Sequence, residues 1–146
     1  MIRVFLDANV YFAGFFSSKG ASSLIFESVS KKKLMVFASR LVLREADKNL
    51  RLKGDAKSVK AFHRFLQKTK IRVIPTPDER VLQRYESVIH PKDVPVLAAA
   101  LESKVAYLIT LDQRHFLTEK VQSYASKEKF KVMTPGDFLR EAMHRR

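Results

Sequence analysis

Short apolar runs alternate along the chain with longer stretches that have helical periodicity. The apolar runs that we expect to form strands are 2–6, 34–38, 71–74, 105–110 and 131–133. The periodic stretches that we expect to form helices are 8–16, 21–31, 40–52, 56–68, 78–88, 93–103 and a last helix that opens at 134–137. Strands that alternate with helices favour a mostly parallel sheet with helices on both faces. The pattern therefore predicts an α/β fold with three layers, α/β/α.

The length and composition fit one globular unit. A chain of 146 residues is of ordinary domain size, and neither a repeat nor a linker interrupts it, so we expect a single domain over residues 1–146. No apolar run approaches the roughly 20 residues that span a bilayer, and the first apolar run ends too soon, at Asp7, to be a signal peptide. The absence of cysteine excludes thiolate chemistry and fits a reducing compartment. We expect a cytoplasmic protein without a membrane partner.

Positive charge is concentrated in the middle of the chain. The net charge is +13, and segment 31–72 holds 14 of the Lys and Arg residues but only three acids. Eight of these cations fall at helical spacing on two predicted helices, where they would form two stripes: Arg40, Arg44, Lys48, Arg51, Lys57, Lys60, Arg64 and Lys68. Such stripes are typical of surfaces that bind RNA or an acidic protein segment, although a solvated polar face has the same pattern.

Three acids follow or precede predicted strands in a way that brings distant parts of the chain together. Asp7 follows the first strand, Asp112 follows the strand 105–110, and Asp93 opens the helix that leads into that strand. Sites in parallel sheets form at the carboxyl ends of strands, so these acids can converge. Taken singly, Asp7 and Asp93 could be helix N-caps and Asp112 a turn residue.

A convergent set of carboxylates needs a compensating charge. Two carboxylates about 4 Å apart repel each other by roughly 4 kcal/mol at an effective dielectric of 20. Mg²⁺ or Mn²⁺ would suit ligands that are all oxygen, and such a cation would activate water towards a phosphodiester. The excess positive charge elsewhere on the chain would attract the polyanion that the acids repel.

The chain resembles the PIN-domain ribonucleases, among them the VapC-like toxins of toxin–antitoxin pairs. The matching blocks are residues 5–10 (FLDANV), 39–45 (SRLVLRE), 90–101 (HPKDVPVLAAAL), 108–112 (LITLD) and 134–139 (TPGDFL). The resemblance implies an endoribonuclease that cleaves single-stranded or structured RNA with Mg²⁺ or Mn²⁺. It also implies a cognate antitoxin partner and a homodimer.

The resemblance also implies a role for each matching residue. Asp7, Asp93 and Asp112 would bind the metal, and Glu45 would complete the catalytic set directly or through water. Two polar residues, Asn9 and Thr110, would support the first acid and the metal-bound waters. One departure is Leu111, where the family often has glycine; this change could alter the turn that presents Asp112.

Two points stay open in the sequence. Asp47 lies two residues from Glu45 on the same predicted helix, and periodicity does not choose between them, although the resemblance favours Glu45. The four histidines, at 63, 90, 115 and 144, are scattered; His115, close to Asp112, could lie at the rim of the site, but we expect a surface role for it.

Two alternative functions fit parts of the same pattern. The first is a module on a PIN fold that binds RNA or a protein partner without catalysis. The second is a phosphotransfer receiver domain, which also has acids at strand ends, but it would need a phosphorylatable Asp after a middle strand, and 71–74 is followed by Pro-Thr-Pro. Neither a glycine-rich phosphate loop nor the spacing of a zinc site or a Ser-His-Asp triad is visible.

Overall fold

Five parallel strands form one sheet in a computed structural model that describes residues 1–143. The strands are β1 (Ile2–Leu6), β2 (Leu34–Ser39), β3 (Arg72–Ile74), β4 (Tyr107–Ile109) and β5 (Lys131–Met133). Their order across the sheet is β3-β2-β1-β4-β5, and each neighbouring pair is parallel. The central strand, β1, therefore lies between β2 and β4.

Helices connect the strands and cover the sheet. They are α1 (Ala8–Phe16), α2 (Ala21–Ser30), α3 (Arg40–Lys53), α4 (Ala56–Lys68), α5 (Glu79–Gln83), α6 (Val94–Glu102), α7 (Glu119–Lys127) and α8 (Pro135–Phe138). A single 3₁₀ turn, Pro91–Asp93, precedes α6, and a π-helical turn, Leu139–Met143, follows α8. Helix α1 packs against α2, α3 and α4, while α6 packs against β2 and α5. The predicted α/β architecture is confirmed, and the sheet is entirely parallel.

Side-chain caps begin the helices where the sequence predicts them. The Ser39 hydroxyl accepts a hydrogen bond from the Val42 amide at 3.2 Å, and Asp78 and Thr134 cap α5 and α8 in the same way. A cap satisfies an amide that has no partner within the helix, which is worth about 1 kcal/mol. These caps set where each helix leaves the edge of the sheet.

The structure differs from the prediction at two helices, of which one is shorter and one is additional. The helix predicted over 78–88 ends at Gln83, because tight turns follow in which the Tyr85 amide bonds the Leu82 carbonyl at 3.0 Å. These turns bury Tyr85 and Ile89 in the core. Helix α7 was not predicted, although its Thr118 cap and the buried pair Val121 and Ala125, four residues apart, are signals for it.

An aromatic cluster holds the helices of one face together. Its rings are those of Tyr11, Phe15, Phe26, Phe62 and Phe65, with centroids 4.7 to 5.8 Å apart. Since these residues come from α1, α2 and α4, the cluster fixes the position of α1, which follows Asp7 directly. No helix within residues 1–143 is both long enough and apolar enough to cross a membrane.

Candidate metal and catalytic site

Asp7 lies at the carboxyl end of the central strand β1 and is only 7% exposed. It caps α1, since its Oδ1 accepts a hydrogen bond from the Ala8 amide at 2.8 Å. Its Oδ2 accepts a second hydrogen bond from the Thr110 hydroxyl at 2.8 Å. Asp7 is therefore an N-cap, the role that its position before a helix allows when it is taken singly. Its second oxygen, however, accepts from Thr110, which directly follows the neighbouring strand β4.

Asn9 and Thr110 connect the loops that follow β1 and β4. The Asn9 amide nitrogen lies 3.4 Å from both the Asp7 Oδ2 and the Thr110 hydroxyl, and its carbonyl oxygen accepts from the Leu111 amide at 3.0 Å. The Thr110 hydroxyl also accepts from the Asp112 amide at 3.0 Å. One buried hydroxyl thus contacts the carboxylate of Asp7 and the backbone of Asp112.

The leucine at position 111 does not disturb this turn. Within residues 1–143, the non-glycine residues with positive φ are Lys32, Lys104 and Lys129, so Leu111 has a backbone conformation that any residue adopts. Its side chain is 43% exposed. The departure from the family pattern therefore leaves the position of Asp112 unchanged.

Asp112 and Asp93 approach each other around His115. Asp112 Oδ1 accepts a hydrogen bond from the His115 amide at 3.0 Å, and its Oδ2 lies 3.6 Å from His115 Nδ1. The same nitrogen lies 2.7 Å from Asp93 Oδ2. The two atoms are not aligned for a hydrogen bond, and this buried oxygen has no hydrogen-bond partner among residues 1–143.

The charges of Glu45 and Asp93 both affect the pKa of Asp7. The pKa of Asp7 is raised from 3.8 to about 6, chiefly by burial; the hydrogen bonds from Thr110 and Ala8 oppose this shift, and the charges of Glu45 and Asp93 add to it. Glu45 is exposed on α3. Both acids are thus close enough to Asp7 to oppose its ionisation.

Asp47 has a different environment from Glu45. Its carboxylate lies 2.9 Å from the Arg51 Nε and 2.6 Å from the His63 Nε2, so it links α3 to α4. Partial burial raises the pKa of Asp47, but the hydrogen bonds from His63 and Arg51 outweigh burial and leave the pKa below its ordinary value. Periodicity did not choose between Glu45 and Asp47 as the catalytic acid. Glu45 is the better candidate, because it interacts with Asp7, whereas Asp47 interacts with Arg51 and His63.

The site's donor atoms fit a hard divalent cation. The oxygens come from Asp7, Asp93 and Asp112, and two of these groups carry the marks of missing positive charge. Asp7 holds its proton more tightly than usual, and Asp93 has a buried oxygen without a hydrogen bond among residues 1–143. A buried carboxylate oxygen of this kind is stable when a cation binds it.

His90 and His115 lie beside the carboxylate site. The His115 side chain is 30% exposed and contacts Asp93, so it lies at the rim of the site, the alternative to the surface role that we expected; His90 was not predicted there. The His90 ring stacks on the His115 ring with centroids 4.6 Å apart. The available signal was spacing, because His90 precedes Asp93 by three residues and His115 follows Asp112 by three. His144 lies outside the described residues.

The two basic stripes lie on exposed faces of α3 and α4. All eight cations of the stripes are exposed, and within residues 1–143 only Arg51 among them forms an ion pair. The stripes meet at a cavity of about 860 Å³ whose lining includes Arg51, Lys60 and Arg64. Arg40 and Arg44 line a second groove of about 660 Å³ beside β3. The cations are therefore available to a polyanion.

The chain belongs to the PIN-domain family. A model of this family, described as the PIN domain, matches residues 3–114, a range that contains all four candidate acids. This membership excludes the receiver domain. A comparison with curated proteins finds no match. Strand β5 lies beyond the matched range, and the assignment of residues 1–146 to one domain stays a prediction.

Solved structures have the same fold at low sequence identity. One is FitAcB from Neisseria gonorrhoeae, with a TM-score of 0.59 and 16% identity over 91% of this chain and 98% of that chain. A second is VapC20 from Mycobacterium tuberculosis, a sarcin–ricin loop cleaving toxin, with a TM-score of 0.56 and 15% identity over 76% and 91% of the two chains. A third is FitAB bound to an IR36 DNA fragment, with a TM-score of 0.59 and 18% identity over 90% of this chain and 94% of that chain. These likenesses show the fold alone.

Proposed function

We propose that the protein is a metal-dependent endoribonuclease that hydrolyses RNA at the carboxylate site. The observation that carries the proposal is the grouping of Asp7 and Asp112, which follow the adjacent strands β1 and β4, with Asp93 from the turn before α6. Glu45 is close enough to Asp7 to raise its pKa. Membership of the PIN family supports it. A purely structural role does not explain why charged groups that oppose one another's ionisation are gathered in one place.

The cation would be Mg²⁺ or Mn²⁺, held by Asp7, Asp93 and Asp112. When bound, it supplies an activated water and stabilises negative charge on the phosphodiester. Asn9 and Thr110 hold the Asp7 carboxylate in one orientation through hydrogen bonds of 3.4 and 2.8 Å.

Glu45 completes the proposed catalytic set. Because it is exposed, its carboxylate is accessible to a water molecule and suits the transfer of a proton from the attacking water.

RNA would bind along the exposed cations. Arg40 and Arg44 belong to the same helix as Glu45 and line the groove beside β3, so they are the cations of the stripes that we assign to the phosphates nearest the cleavage site. The cations of α4 would contact phosphates farther along the strand. Single-stranded or exposed loop RNA is the proposed substrate, since a flexible backbone can follow both the groove and the acidic site.

The proposed biological role is that of the toxin in a toxin–antitoxin pair. The fold shared with VapC20, which is a toxin that cleaves the sarcin–ricin loop, supports it. An acidic segment of an antitoxin would compete with RNA for the basic stripes. We further propose a cytoplasmic homodimer, and the mass of the purified protein in solution tests the dimer.

The alternative is a PIN-fold module that binds RNA or a protein partner without cleaving it. It is favoured only by the eight exposed cations, which need no metal to bind a polyanion. Cleavage assays distinguish the two functions directly.

The test compares Asp7→Asn and Asp112→Asn with the wild type on single-stranded RNA in Mg²⁺ or Mn²⁺. We expect both variants to bind RNA and to lose cleavage by about 100-fold or more, as for loss of a principal charge-stabilising group. Asp47→Asn is the matched control, because Asp47 contacts Arg51 and His63 instead. Equal cleavage by all four proteins, or cleavage that survives chelation of the metal, would contradict the proposal.

A further inference from the structure

A second set of metal-ligand side chains lies against the carboxylate site. His90, Asp93 and His115 each offer one ligand atom, and the three atoms lie within 4.8 Å of one another. This set differs from the oxygen ligands of the proposed magnesium site in having two imidazole groups. Only Asp93 belongs to both sets.

The chemistry of the set favours a borderline transition cation. Imidazole nitrogen binds Zn²⁺, Co²⁺ and Ni²⁺ well, whereas Mg²⁺ prefers oxygen and retains its waters. In a zinc site with bonds of about 2.1 Å, the ligand atoms are roughly 3.4 Å apart. His115 Nδ1 and Asp93 Oδ2, which are 2.7 Å apart, would have to separate slightly, while the ligand atoms that are farther apart, all within 4.8 Å, would have to move closer.

One carboxylate oxygen of Asp93 is buried and accepts no hydrogen bond from residues 1–143. This atom, Oδ2, lies 2.7 Å from His115 Nδ1. A cation between these two atoms would satisfy both lone pairs. Asp93 thus provides an independent sign that a positive charge is needed at this point.

His90 can bind a cation because its side chain is exposed and because water can replace its hydrogen bond. Its Nδ1 accepts a hydrogen bond from the Lys92 amide at 3.1 Å, and Lys92 is exposed. If this nitrogen binds the cation, water can replace it at the amide. The stacking of the two rings already holds His90 beside His115.

An open cavity leaves room for water to complete the coordination. It has a volume of about 450 Å³ and is lined in part by His90, His115 and Glu86. Arg114 and Lys120 also line it, so the cavity is not an acidic pocket that would concentrate any cation without selectivity. The selectivity must come from the imidazole groups.

We propose that His90, Asp93 and His115 form a binding site for a borderline divalent cation, with Zn²⁺ as the expected ligand. The site shares Asp93 with the carboxylate site, so occupancy by Zn²⁺ removes a ligand from Mg²⁺ and inhibits cleavage. This regulatory consequence rests on the proposed function, whereas the binding itself does not.

The test uses the untagged full-length protein and Co²⁺ as a spectroscopic substitute for Zn²⁺. Titration with Co²⁺ is followed by visible absorption, and Zn²⁺ affinity is measured by calorimetry and by displacement of Co²⁺. We expect His90→Ala and His115→Ala each to weaken binding by more than about ten-fold, since even indirect partners of a metal site are worth that much. Because the two cations share Asp93, Mg²⁺ should displace Co²⁺ only at a large molar excess, since Mg²⁺ has little affinity for imidazole.

His63→Ala is the matched control. His63 is a histidine that also lies close to a carboxylate, 2.6 Å from Asp47, but outside the cluster. It should bind Co²⁺ as the wild type does. Because His90 is exposed, His90→Ala should stay folded even if His115→Ala does not, and thermal unfolding checks this for each variant.

Two results would overturn the inference: Co²⁺ binding that is the same in His90→Ala and the wild type, or complete displacement of Co²⁺ by an equimolar amount of Mg²⁺. These measurements need no RNA, so they are separate from the proposed function. Histidine-dependent binding in a protein that cleaves no RNA would refute the nuclease alone. Cleavage that depends on Asp7 without histidine-dependent binding would refute the zinc site alone.

Discussion

At the scale of single residues, the fold places Asp7 where ionisation of its carboxyl group is unfavourable. The carboxylate is buried beside two other acids, and only one hydroxyl and two N–H groups surround it. Because the folded-state pKa of about 6 exceeds the ordinary value of 3.8, the folded protein favours the protonated form. Ionisation of Asp7 therefore destabilises the metal-free protein above the folded pKa, and this penalty vanishes below the ordinary pKa.

Asp7→Asn should stabilise the metal-free protein at pH 8 and not at pH 4. The gain should be on the order of 3 kcal/mol, the scale of such a pKa shift, and should decline as the pH falls through about 6. Asparagine can still cap α1. Denaturant unfolding in chelator across this pH range measures it; a gain independent of pH would mean that charge is not the cause.

Thr110 is the residue through which Asp7 and Asp112 are held together. Thr110→Val removes the hydroxyl that donates to Asp7 and accepts from the Asp112 amide. We expect a loss of about 1–3 kcal/mol of unfolding free energy and a large loss of cleavage. Thr110→Ser keeps the hydroxyl and should retain most of both. If Thr110→Val and Thr110→Ser cleave RNA equally well, the hydroxyl does not position the acids.

At the scale of elements, α3 carries two acids with different tasks. Glu45 raises the pKa of Asp7, while Asp47 pairs with Arg51 of the same helix and contacts His63 of α4. The sequence could not distinguish them, because this helix has apolar residues around most of its circumference. The distinction arises when α4 packs beside α3 and brings His63 to Asp47.

Glu45→Gln should abolish most cleavage while Asp47→Asn should leave it intact. Asp47→Asn should cost less than about 1 kcal/mol of stability, since the ion pairs are partly exposed. The lowered pKa of Asp47 means that this stabilisation is present above its ordinary pKa and lost as the pH falls through the folded pKa. Cleavage rates and unfolding curves of the two variants measure this, and the reverse pattern would assign the catalytic role to Asp47.

The basic stripe of α4 should govern the salt dependence of binding. Reversal of Lys57, Lys60 and Arg64 to Glu should weaken RNA or antitoxin binding and flatten the slope of log affinity against log salt by about 2 for single-stranded RNA. A control reverses three exposed cations elsewhere: Arg80, Lys120 and Lys127. Filter binding at several salt concentrations tests this, and equal slopes for the two triple variants would show that the stripe makes no specific contact.

At the scale of the whole molecule, the aromatic cluster sets the position of α1 and hence of the site. Tyr11 contacts two rings of this cluster and is fully buried, and its hydroxyl has no hydrogen-bond partner among residues 1–143. Burial also raises the pKa of Tyr11, so the group stays neutral. A buried hydroxyl without a partner lowers stability by the cost of its desolvation.

Tyr11→Phe should raise the free energy of unfolding by about 1 kcal/mol or more, because it removes that desolvation cost and keeps the ring contacts with Phe26 and Phe62. Tyr124→Phe is the control, since the Tyr124 hydroxyl has a hydrogen bond with Glu128, and it should bring no gain. Thermal or denaturant unfolding compares them. Destabilisation by Tyr11→Phe would indicate a hydrogen bond for this hydroxyl.

The sequence alone determined the parallel sheet and its helices, because apolar periodicity and capping residues are local signals that survive any packing. It also predicted the strand ends at which Asp7 and Asp112 meet, since sheet topology follows from the alternation of elements. The end of α5 was beyond it, because the turns that bury Tyr85 depend on contacts distant in sequence, whereas α7 had local signals that we did not use.

Only the tertiary structure decided which side chains share a site. Glu45 and Asp47 differ by the helix that packs beside them, and His115 becomes a neighbour of Asp93 only when the loop after β4 folds against the turn before α6. Distances between side chains from separate elements depend on how those elements pack, and no local pattern encodes that arrangement. The acids could therefore be predicted as a set, while the histidines beside them could not.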